Sequence, residues 1–123
     1  MKQLRMDAIA VRRSMSSTER NFASRRITDR FLNSRYFLGS DTIACYLSTW
    51  DEVDTSAIIE RAWSAKKRVF LPVIAERGYM MFRETLPETE MKLNHFGLWQ
   101  PDSGEPIGAS ELDVVVTPLV AFD

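Results

Sequence analysis

A single cysteine, Cys45, and a single histidine, His95, leave this chain without an internal disulfide or the ligands of a zinc site. Its five glycines are scattered at positions 39, 78, 97, 104 and 108. Neither a G-x-x-x-x-G-K-[ST] loop nor a G-x-G-x-x-G turn therefore exists within these residues, and no serine sits in a nucleophile elbow. No run approaches the roughly 18 consecutive apolar residues that cross a bilayer. The opening MKQLRMDAIAVRR lacks the apolar core of a secretory signal, and the acids interspersed among its arginines argue against an organelle transit peptide. No membrane partner is expected, and the expected location is the cytoplasm.

What is present suffices for one core. The 123 residues are 45% hydrophobic and 11% aromatic, enough apolar surface to offset the entropy of ordering a single α/β domain over residues 1–123. The near-balance of 16 basic and 17 acidic side chains hides a division: residues 1–36 carry a net +6 and the remainder a net −7. A basic arm can serve polyphosphates or nucleic acid, and arginines on the solvated faces of two helices produce the same arithmetic. Nucleic acid is not the expected partner, because neither aromatic interleaving nor a known reader motif accompanies the arginines.

Leu4, Ala8 and Val11 share one stripe and predict a helix over 2–15. Ser16 and Glu19 form an S-x-x-E box that starts a second helix, running to about Ser34, with Phe22, Ala23, Ile27 and Phe31 turned inward. After the break at Gly39-Ser40-Asp41, Thr42 to Leu47 reads as a strand covered on both faces, which makes Cys45 a packing residue rather than a nucleophile. Ser48 to Asp54 is a polar loop, and Asp54 caps a helix over 55–66 whose Ile58, Ile59, Ala62 and Trp63 form a sheet-packing stripe. Arg68 to Val73 is the next strand, which completes a β-α-β unit with parallel strands. Further strands are expected at 79–83 and 111–116, the latter ended by Pro118. Between them lie a loop or short hairpin segment over 85–96, an apolar turn over 96–101 and an exposed loop over 102–106.

Ligands of open α/β sheets sit beyond the carboxyl ends of the strands, where Asp51, Glu52 and Asp54 share one loop. Carboxylates there can accept N–H bonds from a cationic or amide-bearing ligand; helix capping and solvation account for the same residues, and both readings stand. His95, beside Phe96, reads as a surface or packing residue rather than a general base. No catalytic residue and no metal ligand is singled out.

The order of the pieces carries more than any one of them. A basic helix pair, a strand followed by YLSTWDEVDTSAII, then KKRVFLPV, YMMF, GLWQP and LDVVVTPLVAFD resembles the 5-formyltetrahydrofolate cyclo-ligase family, or 5,10-methenyltetrahydrofolate synthetases, over essentially the whole chain. The resemblance implies a three-layer α/β/α fold with a largely parallel sheet. It also implies a reaction that uses ATP and Mg²⁺ to convert 5-formyltetrahydrofolate to 5,10-methenyltetrahydrofolate. An N-formyl group is an amide and a poor electrophile; phosphorylation of its oxygen makes a leaving group, N10 closes the ring and phosphate departs. Protein work in such a reaction is positioning and charge neutralisation. By the same resemblance Lys2 and Arg5 match basic positions that contact ATP phosphates. Leu47 and Glu52 match positions that contact the folate, Glu52 holding the N–H-rich edge of the pterin. Met80, Phe82, Phe96 and Leu98 match apolar pocket wall, a part that ordinary core residues would play equally well.

Family members continue past the matching AFD segment into G-x-x-x-G-x-G-x-G-Y-Y-D, whose backbone amides hold the phosphates, whereas the last residue here is Asp123. The expectation is of a C-terminally truncated domain that keeps part of the folate pocket and is inactive alone. Through its uncovered sheet it is expected to associate with itself or with a protein partner.

Overall fold

A computed structural model describes residues 2–48, 52–74 and 79–117, with the side chains of Lys2, Leu4, Arg5 and Arg12 outside that description. The expectations placed on Asp51 and Pro118 therefore lie outside the described residues, as does the closing PLVAFD segment.

The chain opens with two helices, α1 (Lys2–Ser14) and α2 (Ser17–Leu32). α2 starts where the S-x-x-E box predicts. Ser16 Oγ accepts the Glu19 amide at 3.1 Å and donates to Glu19 Oε1 at 3.0 Å, so the box closes side chain to side chain. The helix stops short of Ser34, because Ser34 caps a separate turn, α3 (Arg35–Leu38), its hydroxyl oxygen accepting the Phe37 amide at 3.4 Å. That turn carries Phe37 into the core, where its ring meets Phe31 edge-on at 5.6 Å.

The inward face of α2 differs from the expected one. Thr28 is buried and Phe31 and Leu32 half-buried, while Phe22 and Ile27 are 64% and 50% exposed. The cause is the pair of neighbours: α2 packs on α3 and on the next helix, and Ser24 Oγ on that side accepts the Asp54 amide at 3.1 Å. Phe22 lies instead beneath the Arg26 guanidinium, 5.8 Å from its ring centre.

The strands are β1 (Thr42–Cys45), β2 (Arg68–Ile74), β3 (Met80–Glu84), β4 (Met91–Leu93), β5 (Trp99–Pro101), β6 (Pro106–Ile107) and β7 (Val114–Val116). Five form a sheet of order β6-β3-β2-β1-β7, and β4 pairs with β5 in a separate hairpin. β1 runs parallel to β2 and to β7, while β3 is antiparallel to β2 and to β6. Four of the five strands thus point one way, an α/β fold with a mostly parallel sheet. β1, α4 (Ser56–Ser64) and β2 form the expected β-α-β unit. A 3₁₀ turn at Ala109–Glu111 takes up the start of the segment read as the last strand.

The pleat divides the sheet into two faces. Ile43, Cys45, Val69 and Leu71 point to the helical side and form one cluster with Phe37, Ile59 and Ala62, against which Trp63 and Val116 pack. Burial of each such aliphatic or aromatic side chain contributes about 1.5–3 kcal/mol. Ala44 and Phe70, on the other face, are also fully buried. At the amino ends of the strands, Asp113 Oδ2 accepts the Asp41 and Thr42 amides at 2.8 and 3.2 Å and so aligns β7 with β1.

Candidate functional site

At its carboxyl end β1 gives way to a loop that returns to α4, and this loop is closed from within. Thr55, 1% exposed, donates its hydroxyl to the Tyr46 carbonyl at 2.8 Å. The Thr55 amide donates to Ser48 Oγ at 3.3 Å, and the Tyr46 hydroxyl donates to the Val53 carbonyl at 3.2 Å. Asp54 Oδ1 accepts the amide and the hydroxyl of Ser56 at 3.0 and 2.8 Å, which holds its carboxyl below the usual range. Asp54 thus braces the start of the helix from one position outside the expected cap: α4 begins at Ser56, and Thr55 occupies the cap position with no side-chain cap bond of its own.

Of the loop acids in the described residues, Asp54 is thus committed to the helix, whereas Glu52 faces a cavity of about 400 Å³. The cavity lies beyond the carboxyl ends of β1 and β2. Tyr46, Leu47, Ser48 and Glu52 line it from the loop, Pro72 and Ile74 from β2, Met80 from β3, and Asn94, Gly97, Leu98 and Trp99 from the β4–β5 hairpin. Its volume falls in the range of small-molecule sites, about 300–1,000 Å³, and apolar walls with a few polar groups are the usual composition of such sites.

Leu47, Glu52, Met80 and Leu98, separated by up to 51 positions in sequence, meet in this one cavity. Phe82 lies on the same sheet face as Met80, paired with Pro72 and Ile107, and is not a lining residue. Phe96 is also outside the lining; it is 59% exposed and its ring sits against His95 with centroids 4.2 Å apart. Lys2 and Arg5 both belong to α1, and their side chains lie outside the description. Trp99 and Asn94 line the cavity without having been singled out. Trp99 stood within the GLWQP motif, where its place between glycine and proline was the available signal.

Cys45 is 1% exposed, and burial pushes its thiol up to about 11 despite the hydrogen bonds it shares with Thr55 and Tyr46. It is a packing residue, since the thiolate is the reactive form. Among the described residues no three His, Cys, Asp or Glu converge as a metal site, and the described glycines stand singly. No described helix is long and apolar enough to cross a membrane.

Residues 1–123 match the family model of the 5-formyltetrahydrofolate cyclo-ligases. The chain belongs to this family. It is 34% identical, over 99% of its length, to a 5-formyltetrahydrofolate cyclo-ligase of Haemophilus influenzae, and 33% identical over 91% of its length to one of Escherichia coli K12. It spans 67% and 64% of those two relatives. Its fold is similar to that of a 5,10-methenyltetrahydrofolate synthetase of Aquifex aeolicus, with a TM-score of 0.87 at 24% identity over 99% of this chain and 62% of that one. A Mycoplasma pneumoniae synthetase shares the fold with a TM-score of 0.72 at 18% identity, covering 98% of this chain and 65% of that one.

Proposed function

We propose that this chain supplies the folate side of a cytoplasmic, ATP-dependent conversion of 5-formyltetrahydrofolate to 5,10-methenyltetrahydrofolate, and that the cavity beyond β1 and β2 receives the pterin. The observation that carries this reading is the meeting of Leu47, Glu52, Met80 and Leu98 in one cavity. The Glu52 carboxylate is an acceptor suited to the N–H-rich edge of a pterin, and Ile74, Met80, Leu98 and Trp99 offer apolar walls that exclude water from its flat ring. Phe82 backs this wall from the same sheet face, and Phe96 flanks it from the hairpin turn. Lys2 and Arg5, three apart on α1, are the positions proposed for the phosphates of ATP. The described residues do not by themselves form a cradle for a triphosphate or a ligand set for Mg²⁺.

The test is calorimetric titration of 5-formyltetrahydrofolate into the wild-type chain and Glu52→Gln. Loss of a hydrogen bond to a charged group weakens binding by about 1.5–3 kcal/mol. Unchanged affinity would remove Glu52 from the site.

A second reading, self-association, has one observation in its favour. β7 sits at a sheet edge, paired with β1 on one side and with no other described strand, and Val115 there is 45% exposed. Apolar edge strands template pairing with another chain. Size-exclusion chromatography with light scattering is expected to show a dimer or larger species; a monomer at every concentration would exclude this reading.

A further inference from the structure

The cavity has one wall that does not belong to the main sheet. Asn94, Gly97, Leu98 and Trp99 all come from the β4–β5 hairpin, a two-stranded element, and an isolated hairpin is at best marginally stable. Within the hairpin the turn is internally braced. The Asn94 amide donates to the Leu98 carbonyl at 2.9 Å, and Asn94 Oδ1 accepts the amides of Phe96 and Leu98 at 2.9 and 3.1 Å. Such a turn moves as one piece, so the position of the wall depends on what ties the hairpin to the sheet.

Met91 packs against the core cluster and Pro101 is fully buried, which holds the strands of the hairpin; Gln100 supplies the polar tie on the cavity side. Its side-chain oxygen accepts the amide of Ile74, the last residue of β2, at 3.1 Å and Asn94 Nδ2 at 3.0 Å. The residue is 6% exposed, and one oxygen thus joins the end of a core strand to the side chain that braces the turn. Both Ile74 and Asn94 are themselves cavity residues.

We infer that Gln100 is a positioning residue of the ligand site: its carboxamide oxygen latches the β4–β5 hairpin to the end of β2 and sets the distance between the Leu98–Trp99 wall and the Glu52 loop. The inference rests on the proposed folate reading for the ligand, though the latch itself is a feature of the fold. Because the bonds are both accepted by one oxygen, the latch requires an acceptor and not an amide. Gln100→Glu keeps an oxygen there and Gln100→Leu keeps the volume without it. A residue needed for packing alone would show the reverse order, since leucine fills a buried site at less cost than a carboxylate.

Two measurements on the whole chain test this. Amide hydrogen exchange without ligand is expected to accelerate about tenfold or more at Ile74, Phe96 and Leu98 in Q100L, the equivalent of one lost buried hydrogen bond, and to stay near wild type in Q100E. Tryptophan-fluorescence titration with 5-formyltetrahydrofolate is expected to show a Kd raised about tenfold in Q100L and within about threefold of wild type in Q100E. Wild-type exchange in Q100L, or weaker binding by Q100E than by Q100L, would overturn the latch. If Q100L does not fold, Gln100→Met carries the same contrast. Absence of binding by the wild-type chain would overturn the folate reading, and the exchange arm would still decide whether Gln100 holds the hairpin.

Discussion

Replacing Thr55 by valine should loosen the loop that carries Glu52 while leaving the volume of the site unchanged. Thr55 is 1% exposed, and its hydroxyl donates to the Tyr46 carbonyl at 2.8 Å. Valine keeps the branched shape and removes that donor, so the half-buried Tyr46 carbonyl loses its bond from Thr55. A lost hydrogen bond costs about 1 kcal/mol, and the bond Thr55 shares with Cys45 goes with it, for a total of about 1–3 kcal/mol. Thr55→Ser, which keeps the hydroxyl and loses one methyl group, should cost about 1 kcal/mol. For a chain of this size the valine loss corresponds to a fall of roughly 4–12 °C in Tm, and urea titration should show a lower midpoint with an unchanged slope. The same variant should bind 5-formyltetrahydrofolate more weakly, because Leu47, Ser48 and Glu52 lie between the two residues that the bond joins. A valine variant within about 0.5 kcal/mol of wild type, the range of ordinary surface substitutions, would refute the claim that this bond closes the loop.

Other outcomes follow from backbone geometry and from charge. Lys66 ends α4 in a Schellman motif, with the Lys67 amide on Ala62 and the Lys66 amide on Trp63, both at 2.9 Å, and a φ of 63°. Lys66→Gly should therefore stabilise by about 1 kcal/mol in urea titration, since glycine adopts that conformation without steric cost. Gly104 has a φ of +127°, and an added Cβ would lie 2.1 Å from the Glu84 carbonyl oxygen. Gly104→Ala should cost about 1–3 kcal/mol as a strained conformer, and faster amide exchange at Glu84, whose N–H bonds the Glu105 carbonyl at 2.8 Å, would locate the damage. The amides of Asp41 and Thr42 hold the Asp113 carboxyl below its usual range. The stability it gives is present above the ordinary carboxylate pKa of about 4 and is lost as pH falls through the lower folded value. Thermal midpoints measured between about pH 5 and pH 2 should fall less steeply in Asp113→Asn than in wild type.

The β-α-β unit was legible because its signals are local and mutually consistent. Ile58, Ile59 and Ala62 recur at helical spacing and are all buried, and the apolar run around Val69, Phe70 and Leu71 suits a strand covered on both faces. The N-terminal cap was legible for the same reason, in Ser16 and Glu19. The inward face of α2 was not, since Phe22 and Ile27 match a stripe at helical spacing as well as Phe31 does, and which edge is buried depends on where α3 and α4 lie. β4 and β5 have three residues each, too few for an alternating pattern to stand out, and their pairing of Met91 with Pro101 through Leu93 with Trp99 is a tertiary fact. The hairpin's share of the cavity wall, four of its eleven lining residues, was hidden with them. Leu47, Glu52, Met80 and Leu98 were singled out from family resemblance, and periodicity alone would have left Met80 and Leu98 as ordinary core.

The two faces of the sheet show why a core feature and a site feature are here the same feature. Side chains at successive positions of a strand alternate between faces, so the register that sends Ile43, Cys45, Val69 and Leu71 to the helices also sends Pro72, Ile74 and Met80 toward the cavity. A slip of one residue would exchange the sets and lose both. Pro72 is compatible with a central strand because it falls beyond the last β1–β2 pair, Ala44 with Phe70, where its missing N–H is not required by β1. The register itself is pinned at the far end, where the Arg68 amide donates to the Asp41 carbonyl at 2.8 Å and Asp113 gathers the amides of Asp41 and Thr42. Asp113 is not among the residues that line the cavity. It nevertheless helps to fix which side chains reach the cavity, so a change at the amino ends of the strands can alter binding at their carboxyl ends through pairing alone.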